Sequence, residues 1–243
     1  MTDPGFDPVA ANYDALFTHS ALGQLQRALV HRALKPLLRP DTEVLELNSG
    51  TGADALWLAE RGCRVLATDL SANMVARTAE KIRRAGLEHR VSTRPLDLRA
   101  LPKEPLPGAG FDLIFSNFGG LNCLSPTELQ ALGAALPRLL RPGGRLALVV
   151  MGRFCAWETA YFLLKGQWAA ARRRWNGGPV QARLDARTSI PTWYYGPGEL
   201  ARFFPGLGVR RLAPVGFWAP PSYLETWFGR RPGLLRGLAF LEI

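Results

Sequence analysis

The chain has no uninterrupted apolar run of the roughly 18 residues that a membrane-crossing helix needs, so no transmembrane span is expected among its 243 residues. Cysteine is scarce. Cys63, Cys123 and Cys155 are odd in number and scattered, with no C-x-x-C pair and no histidine cluster beside them. That spacing supports neither a disulfide framework nor a metal site, and the three thiols are expected as small, reduced core side chains. The start, MTDPGFDPVA, is acidic and lacks the basic and apolar regions of a secretory signal, which leads to the expectation of a cytoplasmic protein. Internal repeats and low-complexity tracts are also missing.

Acidic residues run short in the second half. Residues 1–150 hold 17 Lys and Arg against 15 Asp and Glu, a net of +2, whereas residues 151–243 hold 13 against 5, a net of +8. Such a field suits an anionic acceptor, an anionic membrane surface or nucleic acid. It equally suits a merely arginine-rich composition, because 26 of the 30 cations are Arg.

What the chain does have is a βα alternation. Apolar runs that end in Gly or Asp alternate with longer amphipathic stretches, the pattern of βαβ units around a parallel sheet. A first helix is expected over 22–38, with Pro40 as its stop. Strands are expected over 43–47, 64–68, 91–95, 111–116 and 145–151, and helices over 54–60, 73–85 and 127–140. Four segments follow: an N-terminal helical segment (1–42), an α/β core (43–151), an insertion (152–195) and a return to the sheet (196–243).

The strongest site signal is VLELNSGTGADALWLAERG, a strand that ends in Glu46, a glycine-containing turn and a helix. Gly50 and Gly52 allow close approach of a ligand to the backbone. Asn48 stands at the head of the turn and is the non-glycine residue that best tolerates left-handed φ. Seventeen residues beyond Gly52, the next strand ends in Asp69, whose carboxylate can accept both hydroxyls of a ribose. Then come RPLDLRALP with Asp97 and Leu98, FDLIFSNFGGLNCL with Ser116 and Asn117 at the carboxyl edge of the fourth strand, and LLRPGGRLALVV.

In order and spacing these segments, covering about residues 43–151, resemble the motifs of class I S-adenosylmethionine-dependent methyltransferases, with Asn48 in place of the usual first glycine. The resemblance implies a Rossmann-like, doubly wound, mostly parallel α/β sheet that binds S-adenosyl-L-methionine. It places Glu46, Asn48, Gly50, Gly52, Asp69, Leu70, Met74, Asp97, Leu98 and Asn117 against the cofactor, with Asp97 at the adenine amino group. Upstream, ANYDALF resembles the segment whose tyrosine closes over the methionine end, which implies that role for Tyr13, while Arg27 on the following helix reads either as a contact to the methionyl carboxylate or as a solvated helix-face arginine. The family's strand order, 3-2-1-4-5-7-6, calls for a sixth strand over 209–217. Residues 230–243 favour a helix over a seventh strand, which would leave a sheet edge open and favour a homodimer.

Two other readings stay open on the residues alone. Gly50-x-Gly52-x-x-Ala55 also satisfies a loose dinucleotide fingerprint, so an NAD-dependent oxidoreductase fits the turn, though it gives no role to Glu46 or Asp97. A non-catalytic or RNA-directed member of the fold would use the basic second half.

The insertion is where the acceptor is expected. The second half carries 17 of the 24 aromatic residues, and Trp157, Tyr161, Leu164 and Trp168 fall on one face of a single helix. Such a stripe suits core packing at least as well as a ligand wall; read as a wall after the fifth strand it forms a helical cap, with Trp157, Tyr161, Tyr194 and Tyr195 toward the acceptor. The Arg172–Arg174 run reads as a solvated face or as part of the site. No Asn/Asp-Pro-Pro-aromatic motif follows the fourth strand, which counts against a base N-methyltransferase. A small acceptor, lipid-like or anionic, is expected to take the methyl group on O, N, C or S, with peripheral contact to a membrane left open. Spacing selects no general base among His19, His31, Glu158, Tyr194 and Tyr195.

Overall fold

The computed structural model describes residues 6–104, 106, 110–184, 188–218, 220, 224–229 and 231–241. Helix α1 (Ala21–Leu34) leads into strand β1 (Glu43–Leu47), then α2 (Ala53–Ala59), β2 (Arg64–Asp69), α3 (Ala72–Arg84), β3 (Val91–Pro95), β4 (Phe111–Ser116), α4 (Pro126–Ala135) and β5 (Leu140–Leu148). The five strands form one parallel sheet in the order β3-β2-β1-β4-β5.

Strand alternation makes the two layers. Val44 joins Val30, Leu34, Leu58 and Ile82 on one face, and Leu45 and Leu47 join Leu129, Leu132 and Leu136 on the other. Helix starts are set by local chemistry. The Ser71 hydroxyl accepts from the Met74 amide at 3.0 Å to open α3, and Ser125 with Glu128 forms a capping box on α4. Helix ends are set by proline: Pro36 and Pro137 convert the ends of the first and fourth helices to 3-10 turns at Lys35–Leu37 and Leu136–Leu139, so both helices stop short of the expected 38 and 140.

The fifth strand begins earlier than expected. Its Pro142-Gly143-Gly144 lies inside the strand as a bulge, because Phe111 pairs with Leu140 while Leu113 pairs with Arg145. Gly143 has φ +80°, which lets the extra residues turn out of the ladder.

After β5 come α5 (Ala156–Leu164), α6 (Trp168–Ala171) and an antiparallel hairpin of β6 (Val180–Arg183) and β7 (Ser189–Thr192), then α7 (Pro197–Phe203), α8 (Glu225–Phe228) and α9 (Pro232–Leu241). The expected aromatic stripe is not one helix face. Gly166, at φ +69°, ends the first turn of chain after α5, and Leu164 and Trp168 point into solvent at 89% and 62% exposure. The hairpin was not foreseen by the apolar spacing. Asn122, fully buried, ties the insertion to the sheet: its side chain bonds both backbone groups of Met151 and the carbonyl of Trp193.

The expected sixth strand is absent. Residues 209–215 are exposed coil, since Pro214 lacks an amide to donate and Gly216 turns at φ +74°. The C-terminal segment does form a helix, α9, as favoured. It packs with α8 under α1, where Leu22, Phe228 and Leu235 meet, and the Glu225 carboxylate accepts from the amides of Ala21 and Leu22 at 2.8 and 3.0 Å. Among the described residues no sixth or seventh strand joins the parallel sheet, and none of their helices is long and apolar enough to cross a membrane.

Gly52 is the position where the backbone tolerates least. It has φ +77°, and a Cβ there would lie 2.5 Å from the Thr78 methyl. Gly52→Ala is expected to lower unfolding free energy by about 2–3 kcal/mol, combining left-handed strain with displacement of buried Thr78, read as a lower urea midpoint at unchanged m-value.

Candidate functional site

The carboxyl ends of β1, β2 and β4 converge on one turn. Asn48 (φ +55°), Gly50 (φ +55°) and Gly52 (φ +77°) are all left-handed, so the chain doubles back sharply before α2. The Asn48 amide donates to the Ser116 hydroxyl at 3.3 Å, and its side chain lies against Gly120, where an added Cβ would come within 2.5 Å of it. Asn48 thereby keeps the turn and fills the space that Gly120 leaves. By contrast Gly50 is open: a Cβ there would meet only Tyr13, at 3.8 Å.

Asp69, at the tip of β2, accepts from the Gly50 amide and the Ser71 amide, both at 2.9 Å. Burial pushes its carboxyl above the usual range against the backbone hydrogen bonds of Ser71, Gly50 and Leu70.

An aromatic wall closes the N-terminal side. Tyr13 stands between Phe6 and Phe17, at ring distances of 6.2 and 5.7 Å, and Phe17 meets Phe118 edge-on at 4.8 Å. Burial raises the Tyr13 hydroxyl to about 12. The wall is held by a π-helical turn, Asp14–Thr18, whose Asp14 accepts from the Thr51 hydroxyl and pairs with Lys81, both at 2.6 Å.

Beneath the turn lies a buried polar cluster centred on Asp54, which the sequence reading did not single out. Its carboxylate contacts Arg27 at 2.5 Å, His31 Nε2 at 2.6 Å and the Asn117 amide at 2.9 Å. Burial opposes its ionisation, yet the His31, Arg27 and Asn117 contacts hold its carboxyl below the usual range. Arg27 also stacks over Phe118 at 4.6 Å, and His31 stacks on Trp57 at 3.7 Å. Glu46 is 1% exposed, and burial with the Asp54 charge pushes its carboxyl well up. Its Oε2 and the Arg27 Nε are buried without a hydrogen-bond partner. An Asp in the first turn of a helix ordinarily reads as a complement to the helix dipole, which is why Asp54 escaped notice in the sequence.

The remaining expected residues are placed more loosely. Leu70 is half-exposed beside Asp69, whereas Met74 and Leu98 are buried, Leu98 in the core cluster. Asp97 is tied to Arg99 at 2.9 Å. The four expected acceptor residues are not gathered into one wall. Trp157 packs edge-on against Phe228 at 5.5 Å and donates to the Trp218 carbonyl at 3.0 Å. Tyr161 lies under Lys165, Tyr194 lies under Arg174 at 4.5 Å, and Tyr195 is a core residue whose hydroxyl donates to the Leu124 carbonyl.

The arginine run is only partly solvated. Arg173 and Arg174 each bond both oxygens of Glu158, at 2.7–2.9 Å, and Arg174 reaches the Gly152 carbonyl at 3.2 Å. Despite burial, the two guanidiniums hold Glu158 down at about 2. That makes Glu158 a poor proton acceptor and a structural staple between α5 and the chain after α6.

A profile for the methyltransferase domain matches residues 44–144. Over 87% of its length the chain is 33% identical to a demethylmenaquinone methyltransferase of Mycolicibacterium gilvum, spanning 84% of that protein. It is 31% identical to a ubiquinone/menaquinone biosynthesis C-methyltransferase of Methylococcus capsulatus over 59% of the chain and 57% of that protein. It spans 38% of a malonyl-[acyl-carrier protein] O-methyltransferase of Enterobacter lignolyticus, at 38% identity over 44% of the chain. The solved DhpI–SAH complex shares the fold at TM-score 0.56 and 24% identity, with 81% of this chain and 80% of that one covered. A Methanosarcina mazei SAM-dependent methyltransferase does so at TM-score 0.56 and 21% identity, with 70% and 81% covered. The chain belongs to the class I S-adenosylmethionine-dependent methyltransferases, and its cofactor is S-adenosyl-L-methionine. The oxidoreductase reading of the glycine turn is thereby set aside.

Two outcomes follow from the charges. The Glu158 carboxyl sits below its ordinary value in the folded chain, so its contribution is whole above about 4.5 and fades as pH falls from there toward about 2. Glu158→Gln should cost about 2–3 kcal/mol at neutral pH, discounted for the partial exposure of Arg173, and the gap to wild type in urea denaturation should narrow through that window. Glu46 behaves oppositely. Its carboxyl is raised, so folding carries a charge-burial cost at neutral pH that disappears in acid, and Glu46→Gln should make the protein more stable at pH 7 by about 1 kcal/mol or more in urea denaturation.

Proposed function

We propose that S-adenosyl-L-methionine rests across the Gly50–Gly52 turn, with Asp69 at its ribose hydroxyls, Tyr13 over its methionine end, and Asn48, Leu70, Leu98 and Asn117 along its sides. Two observations test the fit. Gly50 leaves its space open toward Tyr13, and the buried Glu46 Oε2 and Arg27 Nε lack partners. An unpartnered carboxylate and an unsatisfied guanidinium N–H suit an α-ammonium and an α-carboxylate, the two charges of the methionyl group. Asp54 holds Arg27 and Asn117 in place for that contact. Asp97 takes the adenine amino group once it shares its carboxylate with Arg99, and Met74 supports the site from within the core. The bound cofactor supplies an activated methyl group for in-line displacement.

The chain's own contribution is alignment and exclusion of water, by the Tyr13, Phe17 and Phe118 wall on one side and the insertion on the other. The acceptor is a small, amphipathic molecule of quinone-like character. The single observation that carries this is the 33% identity to a demethylmenaquinone methyltransferase over 87% of the chain. No dedicated base is required of an acceptor that arrives as an ionised phenol or carbanion equivalent. His31 is committed to Asp54, Tyr195 to Leu124 and Glu158 to two arginines.

Asp69→Ala is expected to weaken S-adenosyl-L-methionine binding by at least tenfold, since a charge-accepted hydrogen bond contributes about 1.5–3 kcal/mol, with the circular dichroism spectrum preserved. Unchanged affinity in titration calorimetry overturns the ribose assignment. Transfer of labelled methyl from the cofactor to a demethylated quinone, and none to catechols or amines, is the outcome expected for the acceptor class.

A further inference from the structure

The tip of the insertion, the turn from α5 to α6, has an unusual surface. Residues 163–169 are all exposed, and they include Leu163 at 39%, Leu164 at 89% and Trp168 at 62% exposure. Nothing in the sequence rule for soluble surfaces requires two leucines and a tryptophan within six residues at such a point, and clustered exposed apolar side chains mark contact surfaces. The fold itself presents them. The Gly166 amide bonds the Leu163 carbonyl, and the Gln167 amide bonds the Phe162 carbonyl, so the turn is a hydrogen-bonded knuckle with its apolar side chains outward.

Charge selects the partner. Residues 159–184 contain five cations and no acid. Arg173 and Arg174 are spent on Glu158, while Lys165 and Arg172 are exposed next to the knuckle. The Lys165 ammonium folds over the Tyr161 ring at 4.4 Å and reaches its hydroxyl, which keeps the cation beside the apolar tip. Leucines for the acyl region, a tryptophan suited to the headgroup boundary and flanking cations for anionic headgroups are the chemistry of an interfacial anchor. The three side chains offer only about half of the ~800 Å² per partner that a standard protein–protein interface buries. A small apolar tip set in basic surroundings therefore fits a lipid surface better than a second copy of this chain.

We propose that the α5–α6 knuckle, through Leu163, Leu164 and Trp168 with Lys165 and Arg172, docks the enzyme on an anionic lipid surface. The docking is carried by the knuckle's own surface and does not depend on which acceptor is methylated. The insertion continues directly from Met151 at the carboxyl edge of the sheet, so a docked knuckle holds the cofactor cleft close to the bilayer.

The test uses the full chain with vesicles of phosphatidylcholine alone and of phosphatidylcholine mixed with phosphatidylglycerol. Wild type should pellet with the mixed vesicles, and its tryptophan emission should be quenched by lipids brominated in the acyl chain. Trp168→Phe should lose most of that quenching while still binding. Leu164→Ser with Trp168→Ser should weaken binding on the order of tenfold or more, and Lys165→Gln with Arg172→Gln by about fivefold for each charge removed. Arg210→Gln with Arg211→Gln, on the exposed coil, serves as a control for the overall positive charge and should change binding less than the knuckle charges do. All four proteins should keep wild-type affinity for S-adenosyl-L-methionine, which separates failure of docking from failure of the cofactor site. The proposal is overturned if the knuckle variants bind vesicles as wild type does, if wild type binds without acyl-chain quenching, or if sedimentation shows a dimer that the Leu164→Ser, Trp168→Ser variant abolishes while vesicle binding is absent.

Discussion

A single buried carboxylate, Asp54, holds the working end of the molecule together. It sits in the first turn of α2, accepts from Arg27 and His31 on α1 and from Asn117 beyond β4, and so binds three separate elements in one low-dielectric cluster. Such an arrangement is favourable only while every member is present, because removing one partner leaves a buried charge without compensation. Alongside it the Glu46 carboxylate has no protein partner for one oxygen. The contrast divides the cluster into contacts that fix geometry around Asp54 and two buried polar atoms, Glu46 Oε2 and Arg27 Nε, left without a protein partner. The chain carries the desolvation of those atoms as a cost in stability.

The turn above this cluster shows how backbone and side chain divide the same labour. Gly52 accommodates no side chain because its φ is left-handed and Thr78 occupies the space, whereas Asn48 is left-handed and bears one, its amide reaching Ser116 and its bulk filling the hollow at Gly120. Asn48 in this left-handed position therefore costs little in the turn and adds a tie between β1 and β4.

The insertion after β5 is held by two polar devices instead of a large apolar core. Asn122 bridges its two ends through the backbone of Met151 and Trp193, and Glu158 staples its helices through Arg173 and Arg174. Since the polar devices do the fastening, apolar side chains at the knuckle are left over for the surface. At the far end, Glu225 caps α1 from more than two hundred residues away, and α9 packs there in place of completing the sheet.

The core was legible in the sequence because its signals are local. The strand over Glu43–Leu47, the left-handed Asn48 and glycines, Asp69 at a strand tip and the helical C-terminus each follow from residue-by-residue conformational preference and alternation. What failed were inferences that needed a partner at long range. Spacing suggested one aromatic helix face, but Gly166 divided it; spacing allowed a strand over 209–217, but Pro214 and an absent neighbour in the sheet left it as coil. Asp54 looked like a helix-dipole residue, and only folding brought Arg27, His31 and Asn117 around it. The arginine run gave no sign that two of its three members would close on Glu158. Local propensity determined the α/β core and the left-handed turn after β1, whereas the charges that meet across the fold were decided by tertiary structure, since a salt bridge depends on distance in space and not on separation along the chain.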